Sequence, residues 1–235
     1  MTFTVVIPTL NEARVIERTL LHTVRQGFEA IIVVDGESTD DTRALVKSLA
    51  ARPCDSRSGS VRLLSDAAGR ARQLNAGAAA STSDVLVFLH ADSQLPTRAR
   101  HLIEQALANP AVVGGHFDIR FDRQSVWGQI ISAFMNARSR LTRISTGDQA
   151  MFVRRHIFEQ LGGFSEIPIM EDIEFSTRLK RTGPTVAIHE HVTTSFRRWE
   201  RQGPLRTILL MWFLRILYWI GVSPRRLAQF YATVR

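Results

Sequence analysis

With 235 residues and 45% apolar side chains, the chain can bury one full core. Its single cysteine, Cys54, excludes an intramolecular disulfide or a cysteine-rich zinc site and fits a reducing compartment. The net charge of +8 is local: residues 197 to 235 hold eight arginines against one glutamate, while the first 196 residues hold 22 basic and 21 acidic side chains.

The chain opens directly on a strand-like run, residues 3–8, with no basic segment and apolar stretch ahead of it, so a cleaved secretory signal is not expected. Further strands are expected at 30–35, 61–65 and 84–90, all rich in Val, Ile and Leu. Helical patterns lie between and after them, at about 12–26, 40–51, 70–80 and 97–108. Asn11 is a candidate cap for the first helix, and Ser38-Thr39-Asp40-Asp41 carries cap chemistry for the second. Strands spaced by helices imply right-handed crossovers and a largely parallel sheet. After residue 110 the rhythm changes. A strand is expected over 113–121, an amphipathic helix or helix pair over 125–141, and a strand over 147–153. A short helix should end near Gly162-Gly163, with 172–181 helical and 185–191 extended. We read residues 1–200 as one α/β domain, with a nucleotide-binding half (1–110) and an acceptor half (111–200), followed by a basic, apolar helical tail (201–235). In that tail, arginines interleave with Leu209–Phe213 and Ile216–Ile220. The mixture suits an anionic lipid surface better than nucleic acid. The apolar block 207–222 is shorter than the roughly 20 residues that span a bilayer, and Arg215 interrupts it. Peripheral or monotopic attachment at the cytoplasmic face of the cell membrane is the expectation.

Two apolar runs end in carboxylates, Asp35 and Asp92, and a third acidic pair, Glu171-Asp172, opens a helical stretch. In an open α/β sheet the carboxyl edge of the strands is where ligands bind. Pro8, Leu10, Asn11 and Glu12 follow the first strand and are candidates for holding a base or ribose. Asp35 is suited to accept a hydrogen bond from a base N–H. No G-x-G-x-x-G follows the first strand and no P-loop pattern occurs anywhere, which argues against dinucleotide and P-loop chemistry. Gly69, Arg70 and Arg72 put cationic forks at a helix N-terminus, an arrangement suited to a diphosphate. The segment His90-Ala91-Asp92 offers a hard divalent cation one carboxylate, and His191 is a further ligand candidate, with His189 as competitor. Glu171 and Asp172 are candidates for a general base, and Gly147, Asp148 and Gln149 for the acceptor side of the same cavity.

Taken in order, these segments resemble family 2 glycosyltransferases of the GT-A fold. The resemblance rests on Pro8–Glu12, Val34–Thr42, Gly69–Gly77, His90-Ala91-Asp92, Gly147–Ala150, Gly162-Gly163-Phe164, Glu171-Asp172 and Arg197-Arg198-Trp199. It is nearest to a small bacterial subgroup described as radical-SAM/selenodomain-associated transferases. The resemblance implies a nucleotide-diphosphate sugar donor (UDP- or GDP-linked), Mg²⁺ or Mn²⁺, and inversion at the anomeric carbon. It implies that Asp35 reads the base with Pro8, Leu10, Asn11, Glu12, Gly69, Arg70, Arg72 and Ala91 around the donor. Asp92 then holds the metal and Asp172 is the catalytic base. Arg198 and Trp199 join Gly147, Asp148 and Gln149 on the acceptor side. The acceptor is a hydroxyl or carboxylate, with a lipid-linked acceptor among the options. Two departures stand out: His90 occupies the first position of the usual D-x-D, and Ser195-Phe196-Arg197-Arg198-Trp199 lacks the glutamine of processive relatives. Single-sugar transfer is therefore expected rather than polymer synthesis. Two other readings stay open, a catalytically weak nucleotide-binding or scaffold module at the membrane and a sugar-phosphate nucleotidyltransferase. The second would need a Gly-rich, basic loop where Pro8-Thr9-Leu10-Asn11 stands.

Overall fold

Alternation of apolar residues with period two decides the centre of the molecule. In β1 (Phe3–Thr9), Phe3, Val5 and Ile7 enter one core while Val6 enters the other. β2 (Ala30–Asp35) divides Ile31 and Val33 from Ile32 and Val34, and β4 (Val85–Phe88) divides Val85 and Val87 from Leu86 and Phe88. Strands apolar on both faces need helices on both faces. α1 (Ile16–Val24), α2 (Thr42–Ala50) and α4 (Ala99–Ala106) cover the first, and α3 (Arg70–Ala79) lies on the second. In α1 the buried Ile16, Thr19, Leu20 and Thr23 follow the helical repeat. This computed structural model describes residues 1–52, 59–123 and 125–232; Cys54 lies outside them, as do the side chains of Arg198, Arg201 and Ala232.

The sheet has seven strands in the order β3-β2-β1-β4-β6-β5-β7, with β3 at Ser60–Ser65, β5 at Gly114–Phe121, β6 at Phe152–Arg154 and β7 at Thr185–Thr194. β3, β2, β1 and β4 are parallel, as are β5 and β7, while β6 runs antiparallel to both its neighbours. β1 has β2 on one side and β4 on the other, so the strand order reverses there. The crevice at such a switch point opens at the carboxyl ends of the strands. The antiparallel β6 pairs Phe152 with Val87, which delivers the residues just before it to the carboxyl end of β4. These residues form a 3₁₀ turn, Gly147–Gln149, closed by reciprocal bonds between Thr146 and Gln149. The strand expected over 147–153 is thus confined to Phe152–Arg154, because the turn has to reverse the chain into the antiparallel slot.

α5 (Val126–Thr142) packs on β5, and Asn136 bonds both N–H and C=O of Ile119 at 2.9 Å. α6 (Arg155–Gln160) and α7 (Glu171–Thr182) complete the second core, where Phe88, Phe158, Phe164 and Phe175 stack with ring centroids 4.6–5.6 Å apart. The expected cap at Asn11 is not one. Asn11 has a left-handed φ of 56° and its Oδ1 accepts from Thr39 N at 2.9 Å, while α1 starts only at Ile16. A short polar side chain that tolerates this conformation has been used to tie two loops together instead. Asp41, at the N-cap of α2, makes no side-chain cap; Asp40 Oδ1 accepts from Thr42 N at 3.0 Å.

The tail is helical, divided into α8 (Arg197–Gln202), α9 (Pro204–Trp219) and α10 (Pro224–Ala232). Among the described residues no helix is long and apolar enough to cross a membrane.

Gly77 is set by close approach. A Cβ there would fall well inside van der Waals contact with Val6 Cγ1 and at 3.1 Å from Val34 Cγ2. Gly77→Ala should therefore destabilise the chain by about 1–3 kcal/mol through overpacking, although alanine favours a helix by up to about 1 kcal/mol. Urea denaturation measures this, and an unchanged or raised midpoint contradicts the packing.

Candidate active site

Four segments meet at the carboxyl edge beside the switch point: the N-terminus of α3, the end of β4, the 147–149 turn and the N-terminus of α7. Arg70, the first residue of α3, donates through Nε to Glu171 Oε1, and its Nη2 lies 3.8 Å from Asp172 Oδ2. Its Nη1 lies 3.3 Å from His90 Nε2. A guanidinium only donates, so that ring nitrogen accepts, and the Nδ1 side of the imidazole is left facing Asp148 Oδ1 at 3.7 Å. His90 thus bridges Arg70 and Asp148. Gly147 is required beside it, because a Cβ there would overlap His90 Nε2.

Asp172 is held by backbone donors. Its Oδ2 accepts from Gly147 N at 2.8 Å and its Oδ1 from Ile173 N at 2.7 Å, with 13% of the side chain exposed. Glu171 is only 2% exposed; burial raises its pKa, Arg70 pulls against that rise and Asp172 adds to it. Partial desolvation opposes the charge on Arg70, whose side chain is 41% exposed, but Glu171, Asp172 and Asp148 more than offset this and hold it cationic. Leu74, Phe88, Leu89, Met151 and Phe164 make the apolar wall of this small pocket. A wider surface depression along α1, lined by Glu17, Arg18, His22, Arg25 and Gln94, contains none of these groups.

The donor-side candidates lie at the ends of β1 and β2. Asp35 is fully buried; its Oδ2 accepts from Ser38 N at 2.9 Å, its Oδ1 from Thr9 Oγ1 at 3.3 Å, and Arg43 Nε lies 3.8 Å away. Pro8 is half-buried and Leu10 is 45% exposed, while Glu12 N donates to Thr42 Oγ1 at 2.8 Å and Glu12 Oε2 lies 3.8 Å from Arg197. Gly69 is exposed at the start of α3, and Ala91 is buried with its carbonyl taken by Thr19 Oγ1 at 2.7 Å. Arg70 and Arg72 diverge: Arg72 Nε pairs with Asp66 at 2.7 Å and is half exposed.

Asp92 is half-buried, and among the described residues its side chain bonds only Ser93 Oγ, at 3.5 Å. Its lone pairs are otherwise free for a cation. Ser93 Oγ bonds Thr194 Oγ1 at 3.0 Å and Gln94 N bonds Thr193 O at 2.8 Å, which ties this turn to the end of β7. His191 and His189 are exposed on that strand. Among the described residues no three or more His, Cys, Asp or Glu form a ready metal cluster. One carboxylate plus diphosphate oxygens and water nevertheless matches how Mg²⁺ and similar hard cations are commonly held.

Of the acceptor-side candidates, Gln149 is fully buried and donates to Ser139 Oγ at 2.8 Å, fastening the turn to α5. Trp199 packs on Phe121 with centroids 6.0 Å apart. The Arg198 side chain lies outside the described residues.

Two residues in the quoted motifs acquire roles that their sequence context did not disclose. Gln73 Nε2 donates at 2.8 Å to both Thr9 O and Val34 O, clamping the ends of β1 and β2. Asn75 bonds both N–H and C=O of Phe164 at 2.8–2.9 Å, anchoring the loop that leads to α7. Each acts through a partner distant in sequence, which is why spacing alone did not show it.

The model of glycosyl transferase family 2 matches residues 4–162. A probable glycosyltransferase of Bacillus subtilis, YdaM, is 26% identical over 84% of this chain, which spans about half (52%) of that relative. Among solved structures, the mannosyltransferase PcManGT from Pyrobaculum calidifontis in complex with GDP-Man and Mn²⁺ is similar at a TM-score of 0.62 and 23% identity, covering 98% of this chain and 78% of that one. S. aureus TarS residues 1–349 in complex with UDP is similar at a TM-score of 0.62 and 15% identity, covering 83% of this chain and 60% of that one. With its match over residues 4–162 and this sheet, the chain belongs to glycosyl transferase family 2 and has the GT-A fold.

Proposed function

We propose that the chain transfers one sugar from a UDP- or GDP-linked donor to an acceptor hydroxyl or carboxylate by a single inverting displacement. The observation that carries this reading is Asp172, fixed by backbone N–H bonds of 2.8 and 2.7 Å beside Arg70 at the carboxyl edge. A carboxylate so held cannot swing away when an acceptor approaches. It takes the acceptor's proton as the oxygen attacks the anomeric carbon, and a carboxylate acceptor would need no such transfer. Charge builds on the departing diphosphate, and Arg70 together with the free N–H groups opening α3 lies where it can be met. Mg²⁺ or Mn²⁺ on Asp92, with His191 as a further ligand, would add charge neutralisation there. Asp35 is buried with both oxygens engaged, so it shapes the loop under the base as well as offering an acceptor to it.

Asp172→Asn should keep donor binding and lower turnover by about 10²–10⁴-fold, since the amide cannot take a proton. Chelation should abolish transfer and Mn²⁺ or Mg²⁺ restore it. Near-normal turnover of the variant in a steady-state assay would move the base to Glu171 or Asp148, and full activity in chelator would overturn the metal assignment.

We further read the chain as peripheral or monotopic at the cytoplasmic membrane face, with a lipid-linked acceptor. Exposed apolar residues of α9 support this: Leu209 at 61%, Phe213 at 50%, Ile216 at 50% and Trp219 at 65%. α5 contributes a second stripe. Val126, Trp127, Ile130, Phe134 and Leu141 are all 47–85% exposed and fall within an arc of about 100° at 3.6 residues per turn. Phe134 meets Trp212 with centroids 5.6 Å apart, so the two helices make one apolar face. Arg206, Arg225 and Arg226 are exposed near it, the combination that holds a protein at an anionic headgroup layer. The full chain should cosediment with anionic liposomes at low salt, and Phe213→Glu with Ile216→Glu should abolish this. Failure of the unaltered chain to bind would rule the reading out.

A further inference from the structure

α5 carries a cation that the mechanism above does not use. Arg138 is half-buried, and its Nε and Nη2 are out of contact with water and bond to no described residue. These two N–H groups form the side-on edge of the guanidinium, the edge that takes the paired oxygens of a carboxylate or phosphate. Buried donors left unpaired are rare in folded proteins and costly, more so when charged. A second such atom lies close by. His116 Nε2, on β5, is also buried without a partner among the described residues. Burial, with Arg138 and Arg140 adding to it and Asp118 opposing it, depresses this histidine to a pKa of about 4, so it is uncharged near neutrality. Asp118 is itself engaged by Arg140, which leaves Arg138 without that counter-charge.

The neighbours of Arg138 give its place. Ser139, the next residue, takes the bond from Gln149 that fastens the 147–149 turn to α5. The carboxylates of Asp172 and Asp148 act on the Arg138 charge without bonding to it. By helical geometry Arg138 lies about 20° past the edge of the exposed apolar stripe of α5 and next to the helix's buried face. It therefore stands between the surface that an alkyl chain would cover and the carboxylate read as the base.

We propose that Arg138 is the anion-recognition residue of the acceptor site, its side-on fork binding two oxygens of a carboxylate or phosphate on an amphiphilic acceptor. This rests on the reading of the Asp148–Asp172 side as the acceptor face. An anion there would satisfy both buried donors of the Arg138 fork, which no described residue bonds. His116 can donate a further bond to it through Nε2 if its proton is on that nitrogen. Such a group would also fix the distance from the acceptor's reacting oxygen to Asp172. The role is positioning and specificity rather than proton transfer.

The test uses the full chain with octyl phosphate, octanoate, octanol and inorganic phosphate, each below its aggregation concentration, with binding read by calorimetry or ligand-observed NMR. The wild type should bind octyl phosphate or octanoate about 10- to 100-fold more tightly than octanol, as expected for a charge-assisted pair. Arg138→Gln should erase that preference, and Arg138→Lys should restore only part of it, because the ammonium lacks the fork. Binding of inorganic phosphate as tight as octyl phosphate would assign the site to a free anion and overturn the amphiphile. No preference in the wild type, or an unchanged preference in Arg138→Gln, overturns the proposal outright. The melting temperature separates a structural role: Arg138→Gln should melt at the same or a higher temperature, since it removes unpaired buried charge, and a clear fall contradicts the assignment. UDP and GDP binding with Mn²⁺ is measured on the same samples. Its absence would count against the transferase reading, while the anion comparison still reports on Arg138.

Discussion

The buried carboxylate of Glu171 governs this site. A charge that is 2% exposed is tolerated only with a counter-charge in contact, and Arg70 supplies it from the first turn of α3. Glu171 opens α7, so the pair pins the starts of two helices to each other across the carboxyl edge of the sheet. Everything else in the pocket is placed by that pin. The remaining nitrogens of Arg70 are directed at His90 and Asp172, Gly147 is held by Asp172, and Asp148 is drawn to His90. Removing the arginine would leave several carboxylates facing one another with nothing to offset their repulsion.

The same network accounts for His90. An acid at that position would have added a second carboxylate for a cation, but it would also have faced Asp148 with like charge. The imidazole accepts from Arg70 and turns its other edge to Asp148, so the departure from the common pattern is absorbed into the scaffold of the site. Asp92 is left as the carboxylate with uncommitted lone pairs on that loop. The proposed cation would then be held mainly by the donor's own phosphates.

The parallel half of the molecule is legible in the sequence because its strands are apolar on both faces and end in polar residues at one edge, which places Asp35, His90 and Asp92 at that edge. Glu171-Asp172 was legible as a helix start. The 147–149 turn was misread as strand because its residues carry no sign that the following strand runs backwards; that follows only from the pairing of Phe152 with Val87. The Arg70–Glu171 contact spans 101 positions and the Asn75–Phe164 bonds span 89, distances over which residue spacing carries no information. Arg138 was missed for a related reason. An arginine on an amphipathic helix reads as solvated, and only the burial of its fork shows otherwise. The tail's composition was plain in the sequence, but its division into α8, α9 and α10 depends on Gly203 and Gly221, both at positive φ.

The proposed single displacement at Asp172 leaves its signature in the stereochemistry of the product. With whichever UDP- or GDP-linked sugar is turned over, proton NMR of the fresh product gives the configuration at the anomeric carbon. A single displacement gives the configuration opposite to that of the donor. A product that retains the donor's configuration would contradict it and would require a second displacement for which the site has been given no nucleophile.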